Sequence, residues 1–298
     1  MGSLTLLLCY AGALVGASLA GGALPRLFAM THTRTQLAMS LVSGLMLGIA
    51  FFHLLPHAVL ALESARGLNG AMVWVMLGLV IMLLLLRMLH FHQPDYALDV
   101  SHCGHEHHDH EHHDHGHIDA GMKLPTARAG WRGVLIGLGF HAIIDGIALG
   151  AAVLAVPHGH QEGLLAFGVF LAILLHKPLD AMSITALMKS GGVSERDQRR
   201  INWVFALICP VAALTFYAWA MALGDVSTSF VTPALAFSAG AFICIALSDL
   251  LPEVQFHSHD RVKLTLVFLV GISLAYLLAS SDTGHSHPVA SAAVSAVE

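Results

Sequence analysis

Polar positions are rare along this chain. Between them run eight apolar stretches, near residues 4–24, 37–62, 70–91, 131–156, 162–189, 201–223, 232–254 and 262–280. Each is close to the roughly 20 residues that a helix needs to cross a bilayer. Away from water only a helix or a closed barrel satisfies its own backbone, so the pattern predicts an all-α integral membrane protein with eight spans. The first run lacks a basic segment before Leu4 and reads as a retained helix, not a removable signal peptide. Composition agrees: of 298 residues, 56% are hydrophobic and 11% charged, and the mean hydropathy is +0.72. A soluble domain carries about a quarter charged residues.

The basic residues orient the spans. With the N-terminus outside, twelve of the fourteen Lys and Arg fall on the cytoplasmic side: Arg26, Arg34, Arg87, Lys123, Arg128, Arg132, Lys189, Arg196, Arg199, Arg200, Arg261 and Lys263. Only Arg66 lies outside, and Lys177 sits within a span. Eight spans then return the C-terminus to the outside. A weak repeat accompanies this topology. Span two ends His53-Leu54-Leu55-Pro56-His57 and span seven ends Asp249-Leu250-Leu251-Pro252-Glu253, each with a glycine nine residues upstream of its first polar residue, Gly44 and Gly240. The two spans run in opposite directions, so the repeat is inverted, as is common in secondary transporters.

Histidine changes the picture further, since the chain has 22 of them. Nine crowd one segment: His102, His105, His107, His108, His110, His112, His113, His115 and His117, interleaved with Glu106, Asp109, Glu111 and Asp114. This cytoplasmic stretch has no apolar side chains to bury, so disorder is expected, and imidazole at such density binds transition metals. The four cysteines, Cys9, Cys103, Cys209 and Cys244, are scattered and suggest no disulfide framework. No P-loop is present, which points away from ATP as a driver, and nothing suggests nucleic acid as a partner.

The informative chemistry lies inside the spans. Span four contains His141-Ala142-Ile143-Ile144-Asp145-Gly146, and span five His176-Lys177-Pro178-Leu179-Asp180. Residues four apart share a helix face, so each helix presents a His and an Asp together. The spans are sequential and antiparallel, with a short connection, and both pairs fall near the middle of the bilayer. They can therefore offer two imidazoles and two carboxylates to one ion. Ionisable residues at that depth are costly and mark function by default; the alternative is a structural His–Asp network stiffening the bundle. Pro178 frees the carbonyl of Leu174, and the glycines of span four (Gly133, Gly137, Gly139, Gly146 and Gly150) permit close or sliding helix contacts.

These residues resemble the ZIP family of metal transporters (zinc- and iron-regulated-transporter-like proteins), of the prokaryotic type. The likeness covers nearly the whole chain, and its specific part is the HxxxDG of span four with the HKxxD of span five. It implies a 3+2+3 arrangement of helices. A first three-helix repeat would cover 1–91, a His-rich cytoplasmic loop 92–130 and a metal-binding helix pair 131–189. A second three-helix repeat with a short external tail would cover 190–298. It also implies a primary metal site of His141, Asp145, His176 and Asp180, moved by an elevator-like shift of one bundle against another. Met46 would be an extra sulfur contact, although a methionine in an apolar helix is usually packing. Many members use an acid or amide after the first ligand of each helix to hold a second metal. Here those positions are Ala142 and Lys177, so a single-metal site is expected, with the ammonium in place of the second cation.

The topology then makes His53 and His57 an outer station and Asp249, Glu253, His257 and His259 an inner one. The expected activity is import of a divalent transition metal across the cell (inner) membrane. Zinc is first choice because two imidazoles and two carboxylates suit its tetrahedral geometry; cadmium, iron(II), cobalt and manganese would also be accepted. No organic cofactor and no enzymatic activity are expected. The partners are metal ions and lipid, with oligomeric state left open and a homodimer among the options. Two rival readings remain. A cation-diffusion-facilitator exporter would show six spans and a soluble C-terminal metal domain, and an intramembrane zinc hydrolase would hold its metal permanently.

Overall fold

The computed structural model describes residues 2–27, 32–60, 65–88, 127–155, 163–224, 228–256 and 261–282. Among them the fold is helical throughout, with eight helical stretches long and apolar enough to cross a membrane. They are α1 (Ser3–Leu27), a second span built of α2 (His32–Ile49), a π-helical turn (Ala50–Leu54) and α3 (Leu55–Leu60), then α4 (Ala65–Met88), α5 (Ala127–Leu154), α6 (Gly163–Ser190), α7 (Glu195–Leu223), α8 (Thr228–Phe256) and α9 (Arg261–Asp282).

Most boundaries follow the apolar runs, and the deviations have local causes. Helix α7 starts at Glu195, six residues before its predicted span, because Ser194 caps it: the Ser194 Oγ accepts from the Asp197 amide at 3.2 Å. Acidic Glu195 and Asp197 in that first turn complement the helix dipole. Helix α6 passes through Pro178 without ending. The second span, predicted as one helix, contains a π turn over Ala50–Leu54, closed by the Leu55 amide bonding to the Ala50 carbonyl.

Packing divides the spans into two groups. In one, α1 packs on α6 and α7, and α5 packs on α7 and α6; in the other, α2 packs on α9 and α8, and α4 on α8. The groups meet where α5 touches α8 and α6 touches α2. Each group draws helices from both ends of the chain. Without a hydrophobic drive between helices in lipid, close approach relies on small residues, and glycine marks the crossings. A Cβ on Gly44 would overlap the Phe268 carbonyl, and one on Gly271 the Leu41 carbonyl, locking α2 to α9. A Cβ on Gly240 would overlap the Val75 carbonyl, and one on Gly78 the Phe237 carbonyl, locking α8 to α4 in the same manner. Ser40 adds a hydrogen bond from α2 to the Leu264 carbonyl of α9 at 3.0 Å. The least buried spans, α4 and α9, expose large apolar residues such as Val73, Met76, Val262 and Leu277. The most buried is α5, followed equally by α6 and the second span.

Candidate metal centre

Helices α5 and α6 have 28 residues each. His141 stands fourteen residues after Ala127, and His176 thirteen after Gly163, so both lie at helix middles. The four-residue spacing puts Asp145 and Asp180 one turn further along each helix. Crossing of α5 and α6 brings the pairs together: one ligand atom from each of His141, Asp145, His176 and Asp180 lies within 4.8 Å of the other three. It is the group of this kind found among the described residues.

The separations lie near those that a shared ion requires, with one edge shorter and two longer. His176 Nε2 lies 3.1 Å from Asp145 Oδ2, His141 Nε2 lies 3.5 Å from the same oxygen, and Asp180 Oδ2 lies 3.7 Å from His141 and 3.9 Å from His176. A tetrahedral ion with bonds of about 2.0–2.2 Å has ligand-to-ligand edges of roughly 3.3–3.6 Å. Hydrogen bonding fixes the chemistry of one ring. His176 Nδ1 faces the Ala172 carbonyl at 2.8 Å, and a carbonyl can only accept. The Nδ1 therefore carries a proton; Nε2 then either carries a second one and donates to Asp145 Oδ2 at 3.1 Å, or in the neutral ring opposes its lone pair to that carboxylate. A cation between them resolves that opposition. Backbone orientation of a ligating imidazole through its other nitrogen is the usual support in metal sites. Asp145 Oδ1, Asp180 Oδ2 and His141 Nδ1 are buried without hydrogen-bond partners, so the centre has unused coordinating capacity.

The four side chains differ in exposure. The side chains of His141, Asp145 and His176 are 3%, 0% and 6% exposed, whereas Asp180 is 15% exposed. Asp180 is therefore the most exposed member of the group.

Lys177 joins the group, as its position beside His176 suggested. It is fully buried, with Nζ 2.7 Å from Asp145 Oδ2, 3.8 Å from Asp180 Oδ2 and 5.5 Å from the centre of the Phe205 ring. Ala142, the other departure from the family pattern, is buried and offers no ligand atom. Phe205 was not foreseen: it is one aromatic in an apolar span, and only the fold reveals that α7 lays it against the ammonium. The glycines of span four have a packing role at two positions. A Cβ on Gly146 would overlap the Cys209 carbonyl and one on Gly150 would sit 2.8 Å from the Ala213 carbonyl, both on α7. On the other flank, a Cβ on Gly21 of α1 would overlap the backbone of Pro178.

Of the remaining sequence candidates, the described histidines His53 and His57 are not part of this group. Met46 is fully buried on α2, which packs against α6. His53 sits in the π turn, fully buried, with neither ring nitrogen hydrogen bonded, beside Gly168 of α6. His57 is half-buried, its Nδ1 2.8 Å from the His53 carbonyl. Asp249 and Glu253 fall within α8, but their side chains lie outside the described residues, as do His257, His259 and all nine histidines from His102 to His117.

Among the described residues, an all-helical fold with eight membrane-length helices and a buried His2Asp2 group that could hold a metal ion defines a multi-pass membrane protein. The chain belongs to the ZIP Zinc transporter family, whose pattern it matches over residues 4–279. It is 34% identical to "Zinc transporter ZIP9" of Micropogonias undulatus over 166 residues, 51% of each chain. It is 36% identical to "Zinc transporter ZIP9" of Xenopus tropicalis over 131 residues, 42% of this chain and 41% of that one. With "Zinc transporter zipt-7.2" of Caenorhabditis elegans the figure is 32% over 144 residues, 47% of this chain and 29% of that one. The chain thus spans about half or less of the curated relatives it matches. These relatives are eukaryotic and lend no support to the expectation of a prokaryotic-type member.

Proposed function

We propose that this protein imports zinc into the cytoplasm across the cell membrane, carrying the ion on His141, Asp145, His176 and Asp180. The observation that carries this reading is the convergence of those four ligand atoms within 4.8 Å at the middle of two membrane-length helices. Relatives bearing the name zinc transporter support zinc as the substrate. Cadmium, iron(II), cobalt and manganese fit the same donors, because affinity order alone does not settle selectivity.

Direction rests on the basic residues, twelve of fourteen on one side. In that topology α6 runs inward, and Asp180, the exposed edge of the site, is its cytoplasmic edge. The 3+2+3 inverted-repeat reading draws support from the packing. Exchanging the first three spans with the last three, and span four with five, turns the α2–α9 contact into α8–α4 and the α1–α6 contact into α7–α5, both of which exist. The two groups, meeting along α5–α8 and α6–α2, are the natural bodies for an elevator-like shift. His53 and His57 would serve the outer approach. Asp249, Glu253, His257 and His259 would serve the inner one, and the histidines of 102–117 would hold metal in the cytoplasm. Met46 would add a sulfur contact. Lys177 would stand where other members hold a second metal, making the site mononuclear.

The test is zinc uptake into metal-free proteoliposomes by the wild type and a His176→Ala/Asp180→Ala variant. Uptake by the first and loss of at least about 90% of it in the second is expected, because half of the ligands of a four-coordinate ion are gone. Equal uptake by both would remove the centre from the pathway. No uptake by either, with one zinc still bound outside the 102–117 segment, would favour a resident-metal role.

A further inference from the structure

Resting on the reading of the centre as a transport site, we infer that the Lys177 ammonium is a tethered competitor of the cargo: it seats on Asp145 when the metal leaves and so enables the empty carrier to return. The geometry sets up the competition. Nζ approaches Asp145 Oδ2 at 2.7 Å, and that same oxygen is the one nearest both imidazoles, at 3.1 Å and 3.5 Å. A metal ion taking this oxygen must displace the ammonium or share the carboxylate with it. The Phe205 ring, 5.5 Å away, offers the withdrawn ammonium a second resting place through cation–π attraction.

Counting charge shows what this arrangement achieves. Among the described residues, Asp145 and Lys177 are the buried members of the Asp, Glu, Lys and Arg set, with Asp180 at the edge. With neutral imidazoles, two carboxylates and one ammonium leave the empty site at −1, and a divalent cation brings it to +1. Without the ammonium the two states would be −2 and 0. The cost of moving net charge through a low-dielectric barrier rises with its square in the Born picture, so an empty site at −2 would meet about four times the barrier of one at −1. Lys177 therefore levels the two halves of the cycle. It slows the loaded half and weakens binding, and in exchange it makes the empty half passable without a co-transported ion. Net uptake needs both halves, whereas exchange of one metal ion for another uses only the loaded one.

The experiment compares zinc affinity, net zinc uptake and zinc-for-zinc exchange in proteoliposomes for the wild type, Lys177→Gln and Lys177→Met. For the neutral variants we expect zinc to bind at least about tenfold tighter, since a unit charge a few ångströms away no longer repels it. Net uptake should fall at least tenfold while exchange is retained or rises, because the square law raises the barrier of the empty state and lowers that of the loaded one. Parallel loss of uptake and exchange in a folded variant, or weaker zinc binding, would overturn the proposal, because a merely structural lysine behaves that way. The wild type provides an arm that needs no variant. A loaded site at +1 makes exchange respond to an imposed potassium-diffusion potential, and voltage-independent exchange would overturn the assignment. A wild type with neither uptake nor exchange would instead overturn the transport reading itself.

Discussion

Asp145 Oδ2 lies 2.7 Å from Lys177 Nζ in a place with no solvent exposure, and the other carboxylate is 3.8 Å from the ammonium. Removing one member of a buried pair strands the other charge, which costs roughly 3–5 kcal/mol, while replacing both by uncharged groups is often near neutral. Asp145→Asn should therefore lower stability in detergent by about that amount. Asp145→Asn/Lys177→Met should recover most of the loss yet fail to recover zinc binding. Chemical unfolding of the three proteins with zinc calorimetry checks this, and equal instability of the single and double variants would count against the pair as the cause. How legible these residues were in sequence depends on their spacing. The HxxxD pairs announced themselves because a four-residue interval puts ligands on one helix face. Lys177 was conspicuous as a cation within a span. Phe205 and Cys209 were not, since their place beside the centre depends on how α7 docks, which no local pattern encodes.

At the scale of elements, hydropathy located all eight spans because burial in lipid demands long apolar runs. It missed the start of α7, a matter of one capping serine, and the π turn at Ala50–Leu54, since a change of hydrogen-bond register leaves hydropathy untouched. Glycine shows the same division between what a pattern tells and what contact decides. Gly12 on α1 has open space around its Cβ position, whereas a Cβ on Gly240 would collide with the Val75 carbonyl of α4. A backbone oxygen in a packed helix cannot swing aside, so Gly240→Ala must separate α4 from α8 and should cost about 1–3 kcal/mol. Gly12→Ala should change stability by no more than about 1 kcal/mol, in the stabilising direction, because alanine is the better helix former. Thermal unfolding in detergent distinguishes them, and matching midpoints would mean that the α4–α8 crossing tolerates a wider gap.

For the whole molecule, the likeness of HLLPH and DLLPE linked spans two and seven, but no sequence match links spans three and eight. Support for pairing them in the proposed repeat comes only from space, where Gly78 meets Phe237 on α8 as Gly271 meets Leu41 on α2. A molecule with the proposed inverted repeat would be served by its helices in either orientation, so the basic residues have to decide. Exposed Ser190 at the end of α6 and exposed Ser281 near the end of α9 lie on opposite faces in the proposed topology. In a background with Cys9 and Cys103 replaced by serine, Cys209 and Cys244 are buried and silent. A membrane-impermeant maleimide applied to intact cells should then label Ser281→Cys at once and Ser190→Cys only after permeabilisation. The reverse pattern would put the twelve basic residues outside and turn the Asp180 edge of the centre outward, so the same site would be loaded from the other face. Labelling of both from one side would break the odd count of spans, three, between the two serines. Either outcome would leave the four ligands in place and remove only the inference that they face the cytoplasm.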